Sequence, residues 1–393
     1  MNTFLERATE LSPQIIAIRR QLHSNPELAF KEYQTTKLIS QRLSEAGIEI
    51  VPWGGDTGVV GLLKGGKPGP VVALRADIDA LPITEENDCI YRSQNHEVMH
   101  ACGHDVHTAC LLGAATLLAE CRDSLAGTVK FIFQPADEID AGAKAMLEKR
   151  VLDNPSVAAI FSFHNSPNIP SGQIGLKIGP LMAAVDTVSL TVEGVSGHGA
   201  IPHHSCDPIM AAAAIMQGLQ TIISRQVDPL EAAVISFGTI HGGNANNAIP
   251  EKVEMTGTVR TFSPSLRAEM PDRMRGVIDG VAAAMRTKAK LVYRNDLPAV
   301  INPPGLAEWC RGPLQKVFGG SGIVTPTPSM GGVDFACFQE KLPGVFLWLG
   351  VGNAAKGIVH QWHSPRFDAD EDSFRYGAAA LAQLAFDYME QFR

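Results

Sequence analysis

Leu11, Ile15, Ile18 and Leu22 recur at helical spacing and the pattern stops before Pro26, which predicts an amphipathic first helix. A second helix is predicted from about Glu32 to Ala46. The pattern then changes to short, nearly unbroken apolar runs: VVALRAD (71–77), TVKFIFQP (128–135) and AAIFSFHN (158–165). Such runs suit strands covered on both faces, and an Ala/Leu-rich helix is predicted among them from about His107 to Glu120. GGKPGP (65–70) reads as a turn between two strands. Together these segments predict an α/β domain, a mixed sheet covered by helices on both faces.

Near Ala184 the period changes again. VDTVSLTVEG alternates as a half-buried strand, and a helix is predicted from about Asp207 to Arg225. AVISFGTIHGG (233–243) and EKVEMTGTVRTF (251–262) follow as strands around a Gly/Asn-rich turn, then a helix from about Pro264 to Thr287 and the strand AKLVYR (289–294). This β-α-β-β-α-β order is the ferredoxin-like unit, an antiparallel sheet with two helices on one face. After Asp296 the α/β character returns, with a helix at 304–318, the strand GVFLWLGVG (344–352) and a last helix from about Glu371. The expected organisation is a discontinuous domain of residues 1–184 and 297–393 that carries an inserted α+β domain, residues 185–296. A length of 393 residues, beyond what one core usually fills, points the same way.

Composition narrows the partners. Apolar residues are 45% and charged residues 19%, a globular balance, and the net charge of −8 argues against nucleic acid or an anionic membrane as the main partner. No run approaches the length of a membrane-spanning helix. The polar, acidic first residues lack a secretory pattern, so a cytoplasmic location is expected. Seven scattered cysteines suit a reduced protein in which Cys89, Cys110, Cys121, Cys206, Cys310 and Cys337 are small core residues.

Potential metal ligands fall in five places, each expected at the C-terminal end of a strand, the edge where α/β sheets collect their ligands. They are Asp77 and Asp79 in LRADIDALP; Cys102, His104 and Asp105 in HACGHDVHTA; Asp137 and Glu138 in FQPADE; His164 in FHNSP; and His360 and His363 in HQWHSP. Singly, each has a plain structural reading, and His107 is expected to cap or pack on its helix. Jointly they form a mixed thiol, imidazole and carboxylate set that suits Mn, Zn, Co or Ni better than Ca or Mg. More than four candidates suggests two ions with a shared ligand. There is no G-x-S-x-G elbow, Walker A loop or dinucleotide fingerprint.

RRQLHSNPELAFKE (19–32), ALRADIDALPI (73–83), HACGHDVHTACLLGAA (100–115), FQPADE, SGHGAIPH (196–203), NAIP (247–250), GTVRTF (257–262) and the final HSP resemble the M20 metallopeptidase family. More narrowly they are similar to its amidohydrolase branch of hippurate, auxin-conjugate and N-acetyl-diaminopimelate hydrolases. The resemblance covers nearly the whole chain, from about Arg19 to Pro365. It implies a catalytic domain with an inserted lid or dimerisation domain, and a homodimer formed through that lid.

It further implies two divalent metal ions (Mn, Zn, Co or Ni) held by Cys102, His104, Glu138, His164 and His363, with Asp137 as general base and Asp77 and Asp79 in the supporting acidic motif. His198 corresponds to a lid histidine that stabilises the oxyanion, often from the partner subunit, and Asn247 and Arg260 match lid positions facing the substrate carboxylate. The implied substrate is a small N-acyl amino acid, cleaved to a carboxylic acid and an amino acid. Competing expectations are a dipeptidase or aminopeptidase on the same metals, or a metal-bound binding protein that has lost its base. Two positions depart from the family pattern. Asp137 stands where Glu is usual, one methylene shorter, and Val333 in GGVDF stands where an acidic residue is usual.

Overall fold

The computed structural model describes residues 3–392. The chain divides into two compact units. One holds the residues up to Gly179, Ile301–Thr327 and Val333 onward; the other holds Pro180–Val300 and Pro328–Gly332.

The first unit opens with helix α1 (Phe4–Ser24), started by a Thr3–Glu6 capping box, and α2 (Tyr33–Glu45). Strands β1 (Glu49–Val51), β2 (Val59–Lys64) and β3 (Lys67–Asp77) follow. The GGKPGP turn is confined to Gly65 and Gly66, since Lys67–Pro70 already opens β3. Helix α3 (His104–Glu120) starts one turn earlier than its apolar run suggests, and β4 (Ala126–Gln134) comes next. Strand β5 (Ala159–Pro170) runs well past the end expected near Asn165, and β6 (Ile174–Gly175) is a two-residue strand.

The second unit is the split βαβ unit read from the alternation. Its elements are β7 (Ala184–Glu193), a short β8 (Gly197–His198), α4 (Pro208–Arg225), β9 (Ala233–Gly242), β10 (Ala248–Ile249), β11 (Lys252–Thr261), α5 (Pro264–Ala284) and β12 (Lys288–Leu297). Asp207 and Ser263 cap the two helices through their side chains, each followed by proline at the first helical position. The sheet order is β9-β11-β7-β12, antiparallel throughout. Val188, Leu190, Val192, Val253 and Met255 meet Ile215, Leu219, Met270 and Met274 in a separate core.

The chain then re-enters the first unit through α6 (Pro304–Phe318), β13 (Ile323–Val324), β14 (Gly344–Gly352) and α7 (Phe374–Gln391). Its eight-stranded sheet has the order β1-β2-β4-β3-β5-β14-β6-β13. The four central strands β4, β3, β5 and β14 run parallel, so their C-terminal ends share one edge, and antiparallel flanks make the sheet mixed. Helix α3 is buried along almost its whole length. Gly113 allows that: a Cβ there would lie 2.8 Å from Ile15 of α1 and 2.9 Å from Ala378 of α7.

Lys130 on β4 is buried, its Nζ donating to the carbonyls of Val151 (2.8 Å) and Pro155 (2.9 Å). Burial pulls its pKa from 10.5 down to about 8, with Asp153 opposing. The unfolded chain therefore holds this proton at pH values where the fold has released it, and stability rises with pH between those two values. In urea unfolding, the advantage of wild type over Lys130→Met is expected to grow from about pH 7 to about pH 9.5. An advantage that does not change with pH contradicts this assignment.

Candidate metal centre and active site

Asp77 ends β3, and Asp137 and Glu138 leave the sheet just after β4, so these carboxylates do emerge at the shared C-terminal edge. The other positions differ from expectation. His164 lies within β5, paired with Trp348 of β14, because the strand continues beyond it. Cys102 and His104 follow no long strand: His104 is the first residue of α3 and Cys102 lies in the turn before it. His363 sits in the long loop after β14, brought in by its backbone N–H donating to the Ala101 carbonyl at 2.9 Å. It adopts the left-handed region at φ 62°.

Two triads of potential ligand atoms, each within 4.8 Å, share one residue. Cys102, His104 and His164 form one; Cys102, Glu138 and His363 form the other. Their union is the five residues named from the motifs, with the thiol common to both. Cys102 Sγ lies 3.4 Å from His164 Nε2, Glu138 Oε1 lies 3.7 Å from His104 Nε2, and Glu138 Oε2 lies 3.5 Å from His363 Nε2. Among the described residues His104 Nε2 and Glu138 Oε1 are buried without a hydrogen-bond partner of ordinary geometry, as expected of atoms that coordinate an ion. The residues present therefore fit a pair of cations.

The supporting contacts aim these atoms. Asp79 Oδ1 lies 3.0 Å from His104 Nδ1, leaving Nε2 to the cluster, and Asp79 Oδ2 accepts from the Glu138 backbone N–H at 3.0 Å. His164 Nδ1 donates to the Asn165 carbonyl at 2.8 Å, which frees its Nε2 in the same way. A third triad, Asp77, His104 and His107, is also close, but His107 is spent: Nδ1 bonds Asp77 and Nε2 accepts from the Asn165 backbone N–H at 2.8 Å. His107 packs inside α3 rather than capping it.

Asp137 and Glu138 stand in the turn after β4, where strand alternation no longer holds, and both come within reach of His104. Ala136 makes this possible by adopting φ 56°, and Glu32 pins the turn by accepting from the Ala136 backbone N–H at 2.9 Å. Asp137 Oδ1 accepts from Arg75 Nη2 at 2.8 Å, while Oδ2 lies 4.0 Å from His104 Nε2. Arg75 is buried and also binds Asp77, Asp334 and Gln134.

Three sequence readings change here. Asp105 is no part of the cluster; one step along α3 turns it away from His104, and it binds Arg19 (2.8 Å) and His23 (2.7 Å). His360 is exposed and belongs to none of the ligand groups found among the described residues. Val333 is buried, and the acid of that segment is its neighbour Asp334, which binds Arg75, Gln134 and the Ala143 N–H. Asp334 and Asn165 were missed from the sequence. A charged residue inside the apolar GGVDFACF, and an amide beside a candidate ligand histidine, were the available signals.

Burial pushes the Glu138 carboxyl up to about 8, with Asp79 and Asp137 adding to the rise. Burial likewise raises the Cys102 thiol, helped by Glu138. Burial lowers the His164 imidazole to about 3, with His107 contributing. Burial opposes the charge on His104, but Asp77 and Cys102 hold its imidazole well above the ordinary range. Around Asp137, burial opposes ionisation but Arg75 holds its carboxyl below the ordinary range. Burial and the adjacent Asp137 push Asp334 well above that range.

The candidate residues of the second unit fall into two groups. His198 of β8 pairs with Ala248 of β10, and Asn247 precedes that partner, its carbonyl accepting from Gly199 N–H at 2.8 Å. His198 Nδ1 accepts from the Ala200 N–H at 3.0 Å, so Nε2 carries the proton, and the side chain is exposed. Arg260 lies towards the other end of β11, where it pairs with Val185. Residues 252 to 260 cover about 26 Å of strand, so Arg260 is not beside the His198–Asn247 ribbon within one copy.

The model for peptidase family M20/M25/M40 matches residues 73–387. The chain belongs to this family. N-acetylcysteine deacetylase of Bacillus subtilis (strain 168) is 44% identical to this M20 chain over 379 residues, 96% of this chain and 97% of that protein. IAA-amino acid hydrolase ILR1-like 2 of Arabidopsis thaliana is 39% identical over 389 residues, 98% of this chain and 87% of that protein. The crystal structure of the Bacillus subtilis YXEP protein, described as a dinuclear metal binding peptidase from the M20 family, superposes with a TM-score of 0.86 at 40% identity, covering 97% of this chain and 99% of that one. Among the described residues no helix is long and apolar enough to cross a membrane.

Proposed function

We propose that this M20 chain is a metal-dependent amidohydrolase that cleaves N-acyl amino acids to a carboxylic acid and a free amino acid. The observation that carries the reading is the pair of triads meeting at Cys102, with two buried candidate ligand atoms that have no hydrogen-bond partner of ordinary geometry among the described residues. Cys102, His104, Glu138, His164 and His363 would hold two divalent cations, and this mixed donor set admits Mn, Zn, Co or Ni. When bound, the ions supply carbonyl polarisation and a lowered pKa for water.

Asp137 Oδ2 takes a proton from the attacking water, whose oxygen bonds to the amide carbon. The same carboxyl then delivers that proton to the nitrogen as the C–N bond breaks. Arg75 keeps the carboxylate ionised and turned towards the cluster. His198, with its proton on Nε2, donates to the developing oxyanion, and Arg260 pairs with the free carboxylate as a planar fork.

A dipeptide-sized substrate spans about 7 Å. One lid, with Arg260 near one end of its sheet and His198 in the ribbon beyond the other end, does not bring both to one such molecule. We therefore assign His198 and Asn247 to act on the site of a second copy, and the working protein to be a homodimer. The test of substrate class is a side-by-side assay of N-acetylmethionine and an unblocked dipeptide. Release of methionine from the former, at least about tenfold faster in kcat/KM, is expected. Preference for the dipeptide overturns the amidohydrolase reading in favour of a dipeptidase.

A further inference from the structure

Asn165 joins four of the segments that build the metal site without being a ligand itself. It is wholly buried. Its carbonyl accepts from His164 Nδ1 at 2.8 Å, and its backbone N–H donates to His107 Nε2 at 2.8 Å. Its Nδ2 donates to the Cys102 carbonyl at 2.6 Å and lies 2.9 Å from His107 Nε2. Its Oδ1 accepts from the Trp362 indole N–H at 3.1 Å, as does its carbonyl. Trp362 in turn meets the His164 ring edge-on at 5.0 Å and precedes His363 in the chain.

The chemistry of these neighbours fixes which way the amide points. The Cys102 carbonyl only accepts and the indole only donates, so Nδ2 must face Cys102 and Oδ1 must face Trp362. Gly103 shows how closely this amide is fitted against the Cys102 turn. A Cβ at Gly103 would lie 2.3 Å from Asn165 Nδ2, and the glycine stands at φ 84°. The side chain thus occupies the space of a residue-103 side chain and ties that turn to β5.

We propose that Asn165 is a positioning residue that sets the Cys102 thiol, the His164 imidazole and the His363 loop in register before a metal arrives. The proposal rests on the ligand assignment above. A metal held by three separate segments binds tightly only if their relative placement is already paid in folding; orienting partners of this kind are typically worth about 10–100-fold in affinity. Asn165 acts by hydrogen bonds alone, so an isosteric change of its donor should suffice to disturb the site. Asn165→Asp keeps the shape and the acceptor for Trp362, but places an oxygen against the Cys102 carbonyl and the His107 nitrogen.

The experiment is a Co²⁺ titration of metal-stripped protein, reading the near-ultraviolet thiolate-to-cobalt absorption and the Co²⁺ Kd by competition with a chelator. Asn165→Ala and Asn165→Asp are compared with wild type and with Asn302→Ala. Asn302 is an equally buried amide that bonds Lys177 O and the Phe346 peptide, none of them a ligand. The expected result is a fall of about 10–100-fold in Co²⁺ affinity with a weakened thiolate absorption in both Asn165 variants. Asn302→Ala is expected to lower the melting temperature and leave both readouts unchanged. Circular dichroism identifies any variant that fails to fold, and the isosteric Asp variant decides if the Ala variant does. Wild-type affinity and absorption in a folded Asn165 variant, or equal losses in Asn302→Ala, overturn the positioning role. Absence of thiolate absorption in wild type itself overturns the Cys102 ligand assignment, and the proposal with it.

Discussion

Asp137→Ala is expected to lower kcat by about 10²–10⁴-fold while metal content and KM stay close to wild type, the range typical of a positioned general base. The split follows from what each oxygen touches. Oδ1 is bound to Arg75, and Oδ2 faces His104 Nε2 across 4.0 Å, on the side of the ligand cluster. Neither oxygen belongs to the triads around Cys102, so the ions keep their donors when the carboxyl is removed. Asp137→Asn makes the same point with less change in volume, since an amide keeps an acceptor for Arg75 but takes up no proton. The shorter side chain, one methylene less than the family's usual Glu, is docked on a buried guanidinium rather than hanging in solvent. Single-turnover kinetics with metal analysis on the same sample is the check. Turnover within a few-fold of wild type would remove Asp137 from the role.

Arg75→Met is expected to be the most damaging single change to stability outside the hydrophobic cores. Arg75 is 0% exposed and gives four hydrogen bonds: Nε to Gln134 (2.9 Å), Nη1 to Asp77 (2.7 Å), and Nη2 to Asp137 and Asp334 (2.8 Å each). Burial works against its charge, but Asp77, Asp137 and Asp334 together hold the guanidinium protonated. Methionine fills much of the volume and leaves three carboxyl groups in a buried space without their cation. Breaking a buried ion pair from one side costs about 3–5 kcal/mol. For a chain of 393 residues that corresponds to a fall in melting temperature of about 4–6 °C. The melt should be recorded on metal-stripped protein, so that loss of bound ions does not enter. A melting temperature within about 2 °C of wild type would contradict this account of the cluster.

The elements with a strong period were legible in the sequence. The alternation of VDTVSLTVEG placed β7 within a residue, and the unbroken apolar runs at 128–135 and 344–352 placed β4 and β14. The five candidate ligand residues that the structure brings together stood in short, dense motifs. Their structural setting was less so. His164 lies inside its strand and His104 opens a helix, because apolar runs say where a segment is buried and not where its hydrogen bonding ends.

The supporting residues were the least legible. Arg75 and Asp334 are 259 positions apart, and nothing local to GGVDF reports that its aspartate closes the network behind Asp137. Asp105 misled for the opposite reason: it sits in the densest motif, but the turn of α3 sends it to Arg19 and His23. Asn165 carries no charge, and its one sequence signal is its place beside His164, so its contacts with Cys102, His107 and Trp362 are visible only in the structure.

The most direct test of the central claim is release of free amino acid from a panel of N-acyl amino acids by metal-stripped protein, with and without added Mn²⁺, Zn²⁺, Co²⁺ or Ni²⁺. The account predicts no release from the stripped protein and restored release on adding at least one of these ions, with two ions bound per chain. No release with any ion, from folded protein shown to bind two, would contradict it.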